Sequence, residues 1–275
     1  MDFTRIPKCD LHTHSSFCDG EDAPEAFVLS AIEKGMNVIG FSAHSPMPFE
    51  AEGAMSTDSV ARYREEILRL REKYRGQISV FLGLEQDYYA ADPAIGYDYL
   101  IGSVHCLRMG DEYVFLDRSA EELREAVKRY FGGDVYRLAS HYYQLVAELP
   151  SRTGCDIIGH FDLIAKFNKD GSFFDENDPR YLRAAMDALD ALLEQNVLLE
   201  INSSDAVAGL RKIPYPAPLF LHRIAERRGR VLLSSDAHRA ENLLAGFLNS
   251  VRIARAAGLG SVWTLSEAGW KSCPL

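Results

Sequence analysis

The sequence predicts an α/β fold in which a parallel sheet closes into a barrel, and three observations lead there. Short, continuous hydrophobic runs alternate with longer amphipathic stretches along all 275 residues. Runs of that kind are parallel strands covered on both faces, and strand–helix alternation on this scale requires a parallel sheet. Seven or eight such units in one chain favour closure over an open doubly wound sheet, and no GxGxxG follows the first run to argue for a dinucleotide fold.

The elements follow in order. A first strand at 8–12 (KCDLH) precedes a helix at 23–35, with Asp22 as N-cap, Pro24 in the first turn and Glu25 completing a capping box. A strand at 37–43 (NVIGFSA) leads to a helix at 58–74, and strands follow at 78–85 (ISVFLGLE) and 97–104 (YDYLIGSV). Helices at 119–131 and 134–149 come next, the first opened by a capping box, SAEE. Strands at 155–160 (CDIIGH), 197–202 (VLLEIN) and 230–236 (RVLLSSD) precede helices at 179–195, 216–228 and 240–257. Gly35, Gly76 and Gly229 stand where helices should stop. No linker, low-complexity segment or charge block interrupts the pattern, so one domain, 1–275, is expected.

Composition narrows the function. Hydrophobic residues make up 47% and charged residues 25%, ordinary globular values that allow a large core. A net charge of −10 disfavours nucleic acid and membrane surfaces as partners. No apolar run reaches the length of a membrane span, and "MDFTRIPKCDLH" lacks the apolar stretch of a secretory signal. The five cysteines are scattered without a CxxC pair, so a reduced, cytoplasmic protein is expected. Cys18 and Cys106 flank the candidate site but rank below the histidines as ligands.

In β/α barrels the chemistry sits at the C-terminal ends of the strands. Those ends carry His12 and His14, His44, Glu85, His105, His160, Asn202, then Asp236 and His238. Six of the eight histidines fall there, while His141 and His222 lie within helices and read as structural. Imidazoles and carboxylates converging on one rim suit zinc, iron or manganese, and so many ligands point to a multinuclear centre. Glu85 has a bland reading as a buried carboxylate paired with an arginine, and Asp236 one as cap of the helix near 240.

Seven stretches, "DLHTHSSFCDG", "FSAHSPMPF", "GLEQDYY", "YLIGSVHCL", "DIIGHFDLIAKFN", "EINSS" and "SSDAHR", resemble in order the motifs of the polymerase and histidinol phosphatase (PHP) family, within it the histidinol-phosphatase branch. They run from residue 10 to 239. The resemblance implies a distorted seven-stranded (β/α)7 TIM-like barrel with two or three divalent ions. His12, His14, Glu85 and Asp236 would hold one metal, and Glu85 would bridge to a second held by His105 and His160. His44, His238 and Asp19 would hold a third, Asp19 standing where many members of the branch carry histidine. The implied activity is hydrolysis of L-histidinol phosphate by a metal-bridging hydroxide, with Glu85 and Asp236 in catalytic roles.

The implied partner is a small phosphorylated substrate; the oligomeric state is not legible. Phosphate would need cations, and the proline-rich loop "AVAGLRKIPYPAP" offers Arg211 and Lys212, either as a clamp or as a solvated turn. Lys166 and Arg239 are comparable candidates, with Asn202 beside them. Asp87, Tyr88 and Tyr89 are placed near enough to meet an amine or imidazole. The alternatives are a PHP phosphoesterase with another small phosphorylated substrate, a metal-dependent amidohydrolase, and a barrel that has lost its chemistry.

Overall fold

Seven strands pair in parallel in the order β1 (Cys9–Asp10), β2 (Val38–Phe41), β3 (Ser79–Asp87), β4 (Tyr99–Ser103), β7 (Ile157–Ile158), β8 (Leu198–Asn202) and β9 (Arg230–Ser234). In this computed structural model, residues 7–49, 51–90 and 93–275 are described. The two edges meet at the C-terminal rim. Thr13 bridges Ala237 in parallel, with the His14 amide donating to the Ala237 carbonyl at 2.9 Å. The expected barrel is therefore present and distorted, since β1 and β7 contribute two residues each to regular pairing.

The interior is packed around Tyr99 at the start of β4. Its hydroxyl donates to the Leu11 carbonyl and, at 3.2 Å, to that of Phe41. The ring crosses so close to β2 and β3 that a Cβ on Gly40 would lie 2.3 Å from the hydroxyl, and one on Gly83 2.2 Å from Cζ. Those two glycines are thus a steric requirement of one aromatic ring. A hairpin of β10 (Ser261–Ser266) and β11 (Gly269–Pro274) closes the opposite end of the barrel. Leu265 packs with Cys9, Val38, Tyr99 and Leu232, and the Arg230 guanidinium lies 5.1 Å from the Trp263 ring.

Helices form the outer layer: α1 (Pro24–Glu33), α2 (Ser59–Lys73), α3 (Ala120–Phe131), α4 (Val135–Thr153), α5 (Pro179–Glu194), α6 (Ser204–Val207), α7 (Pro218–Glu226) and α8 (Phe247–Ala256); all but the unpredicted α6 and the shortened α8 lie close to their predicted bounds. Ser119 accepts the Glu122 amide, as its capping box predicts. The Asp22–Glu25 box does not form. Asp22 instead accepts the Ala240 amide at 2.9 Å, and Glu25 pairs with Arg69 and Lys73 on α2 and with Tyr74 just past its end. The left-handed turn expected at Gly229 is taken by Arg228, and the predicted helix 240–257 is split by left-handed backbone at Leu244 and Gly246. A second unpredicted hairpin, β5 (Cys106–Met109) with β6 (Glu112–Phe115), follows β4 and rises beside the rim. Among the described residues no helix is long and apolar enough to cross a membrane.

The Tyr99 contact makes a stability prediction. Gly83→Ala should cost about 1–3 kcal/mol by overpacking, whereas Gly260→Ala, whose Cβ would meet nothing within 4 Å, should stay within about 0.5 kcal/mol of wild type. Urea unfolding of the two variants measures the difference.

Candidate metal centre

Each strand end delivers its side chain inward for a local reason. Beyond β1, the Thr13 hydroxyl donates to the Gly40 carbonyl at 2.8 Å and its amide to Ser42 Oγ at 3.1 Å, so His12 and His14 both project into the barrel mouth. His44 follows β2 and bridges to Glu85 on β3. His105 follows β4, and its amide donates to Asp87 Oδ2 at 3.2 Å. His160 follows β7. Asp236 and His238 follow β9, where Asp236 takes a left-handed backbone (φ 51°) rare for a non-glycine residue. Buried Asp10 accepts the Ser235 amide and hydroxyl and helps hold that turn.

Glu85 is the centre of the arrangement. Its Oε2 lies 3.4, 3.5 and 2.8 Å from ring nitrogens of His12, His14 and His44; its Oε1 lies 3.3 and 3.1 Å from Nε2 of His105 and His160. Among the described residues no arginine pairs with it, which sets aside the bland reading. Asp236 Oδ1 faces Nε2 of His14 at 3.1 Å and of His12 at 3.6 Å, and Asp22, not Asp236, caps the turn at 240. Asp19 Oδ2 lies 3.4 Å from His44 Nε2 and 3.3 Å from His238 Nε2.

Four of these atoms test whether a cation fits. His12 Nε2, His14 Nε2, Glu85 Oε2 and Asp236 Oδ1 are buried and make no hydrogen bond, yet all point at one another. Buried polar atoms are nearly always satisfied, and a divalent ion would satisfy all four at once. Three overlapping donor groups lie within 4.8 Å: His12, His14 and Asp236; His44, Glu85 and His105; and His14, Asp19, His44 and His238. His160 joins the second through Nε2, 3.3 Å from His105 Nε2. The residues fit divalent metal ions. Exposure is graded, from 0% for the His12 and His14 side chains to 35% for Asp19 and 38% for His238.

The charges are mutually adjusted. Burial pushes the Glu85 and Asp236 carboxyls up, but the surrounding imidazoles outweigh it and hold both well below the usual range. Burial lowers His12, yet Asp236, Glu200 and Glu85 raise it well above its ordinary value. His105 is likewise opposed by burial but raised to about 10 by Glu85 and Asp87. His14, faced by His44 and His238 and fully buried, falls to about 4.

The substrate-facing expectations divide. Lys166 reaches the cleft above the rim, with Nζ 4.0 Å from Asp205 Oδ1. Arg211 turns away: its guanidinium is buried against Asp162 at 3.1 Å and lies over Tyr215. Lys212 borders a separate hollow with Arg211, and Arg239 extends outward to Glu21 and Glu241. Asn202 is fully buried and donates to Glu200 and Asp236. Asp87 is spent on His105, and the Tyr88 and Tyr89 hydroxyls on Glu148 and the Arg108 amide. Missed from the sequence were Asp117 and Arg118 beside β6, which line the cleft, and Glu200 beneath it. The cleft has two lobes of about 550 and 460 Å³ that share Asp19, His44, Glu85, His105, Asp117 and Lys166.

Metal uptake should displace protons, because the facing carboxylates favour the charged form of His12 and His105. Affinity for zinc should therefore rise with pH between about 6 and 8. Calorimetric titration in buffers of different ionisation enthalpy should show net proton release.

A model of the PHP domain family matches residues 10–204. The chain is 32% identical over 265 residues to a protein of Deinococcus radiodurans named "Probable histidinol-phosphatase", covering 91% of this chain and 94% of that one. It is 30% identical to the histidinol-phosphatase of Bacillus subtilis, covering 86% and 95%. Its fold is similar, with a TM-score of 0.69 at 21% identity and 97% and 99% coverage, to a histidinol phosphate phosphatase of Lactococcus lactis solved with zinc, L-histidinol and phosphate. Ordered motifs, barrel and family match agree: the chain belongs to the PHP domain family.

Proposed function

We propose that the chain hydrolyses L-histidinol phosphate to L-histidinol and phosphate. The observation that carries this reading is one rim of nine inward imidazoles and carboxylates beneath a cleft lined by both cations and acids. The relatives named above, histidinol-phosphatases matched over nearly their whole length, support the substrate.

In this reading His12, His14, Glu85 and Asp236 would hold one ion; Glu85, His105 and His160 a second; and Asp19, His44 and His238 a third. Bound divalent ions supply Lewis acidity, lowering the pKa of water and neutralising charge on the phosphoryl oxygens. The chain's own groups do the rest. Lys166, with Arg118 at the outer edge, draws the phosphate down towards the rim. Asp236 receives the proton of the attacking water, its Oδ2 fixed by Asn202 at 3.1 Å and Ser204 at 3.3 Å. As the water oxygen bonds to phosphorus, the bond to the ester oxygen breaks, and the proton taken up by Asp236 is passed on to the departing alkoxide, which restores the carboxylate. Asp117 and Glu52, on the wall that carries Phe115, face the cationic end of the substrate.

Phosphate release from L-histidinol phosphate by zinc- or manganese-loaded protein tests this, with His105→Ala expected to abolish turnover. Full activity on another phosphomonoester, and none on this one, would keep the chemistry and overturn the substrate. Lys166→Ala should lower kcat/KM about 10- to 100-fold. Asp117→Asn should weaken L-histidinol phosphate turnover by a similar factor while sparing p-nitrophenyl phosphate, as steady-state kinetics on both substrates will show.

A further inference from the structure

Glu200 stands within the hydrophobic run of β8, fully buried, and none of the chemistry above uses it. Its Oε1 accepts the His160 amide at 2.5 Å and Asn202 Nδ2 at 2.9 Å. Its Oε2 accepts the Ser234 hydroxyl at 2.8 Å and lies 2.8 Å from His12 Nδ1. These partners come from the ends of β1, β7, β8 and β9, so one carboxylate ties four neighbouring strands beneath the rim.

The hydrogen-bond inventory then fixes the state of His12. An ionised carboxylate has about four acceptor sites and no donor. Three are filled by groups that donate to it, so the fourth contact requires the hydrogen on His12 Nδ1. Its Nε2, buried and aimed at Glu85 Oε2 and Asp236 Oδ1, is then the ring nitrogen whose proton can leave to expose a lone pair.

We infer that Glu200 is a positioning residue, holding His12 in the one tautomer that presents Nε2 to a metal ion and tying that ring to the loops bearing His160 and Asp236. The inference rests on the metal-dependent reading of the site and adds to it a residue from outside the ligand set. The other ring contacts have narrower reach. Asp87 serves His105, and the Asp236 carbonyl, at 3.0 Å, serves His238. Glu200 alone, among the described carboxylates, contacts a rim histidine while also holding the amide of a second and the asparagine that fixes Asp236.

Glutamine has almost the same size and cannot replace it. With its oxygen towards His160 and Asn202, its NH2 meets His12 Nδ1 and drives the ring hydrogen to Nε2, the wrong tautomer. Turned over, it sets NH2 against the His160 N–H and the Asn202 NH2, donors facing donors.

The test is zinc affinity of Glu200→Gln by competition with a chromophoric chelator, with His105→Ala as the comparison. A loss of about 10- to 100-fold is expected, the range seen when a partner of a ligating histidine is removed. Nitrogen-15 NMR of the zinc-loaded wild-type protein needs no variant and should show His12 carrying its hydrogen at Nδ1 and none at Nε2. Zinc affinity within about twofold of wild type, or a His12 hydrogen found on Nε2, overturns the inference. If His105→Ala binds zinc weakly and Glu200→Gln does not, the metal centre stands and the role of Glu200 falls. If the wild-type protein itself binds no zinc, the metal reading fails first.

Discussion

Everything at the rim depends on how Glu85 is kept ionised with its side chain almost wholly removed from solvent at the floor of the cleft. A carboxylate in a closed interior loses its hydration, and only close positive charge or several donors can replace it. Here five imidazoles and the Ser103 hydroxyl surround it, divided between its two oxygens. That division explains why ligands must come from β1, β2, β4 and β7 around the β3 strand that carries it. A barrel is the simplest scaffold that brings so many strand ends within reach of one side chain.

The same constraint explains which parts of the site were legible in the sequence. Strand-end histidines stand out because polar residues close apolar runs, and DLHTH, FSAH, GSVH, IIGH and SSDAH each do so. Glu200 carries the same signal, a charge inside VLLEIN, but the eye passes to Asn202 at the strand's end. Arg211 misled for a different reason. Its loop has the composition of a phosphate clamp, yet its partner is Asp162, 49 residues earlier in the chain, and no local pattern announces that pairing. Asp117 and Arg118 lie past a hairpin whose strands hold four residues each, too short for periodicity to register.

The fold was legible to a similar depth. Buried parallel strands and amphipathic helices leave strong patterns, so their order and approximate bounds survive. What the pattern could not carry were the antiparallel additions and the places where tertiary contact overrides local chemistry. Asp22 has the makings of an N-cap but finds the Ala240 amide, 218 residues away, and Glu25 finds the cations of α2 instead of its own helix start. Capping energies of about 1 kcal/mol are small enough for such competition to decide.

Charge decides how an acidic protein can take an anionic substrate. The chain carries a net −10, and Glu85, Asp236 and Asp19 concentrate three negative charges under the cleft. Lys166 and Arg118 alone cannot reverse that field, and both stand above the rim, not within it. Two divalent ions would bring four positive charges against the three carboxylates, so under the proposed reading a filled centre would attract phosphate. In that reading metal binding and substrate binding would be coupled through electrostatics before any bond is broken. The exposure gradient adds an order to that coupling. The His12 and His14 side chains are fully buried and Asp236 nearly so, whereas Asp19 and His238 are 35% and 38% exposed on the cleft, so in the proposed reading an ion held by Asp19 and His238 would lie nearest to solvent. An aspartate at position 19 suits that place, since a carboxylate brings a full negative charge to the site with the least burial to penalise it.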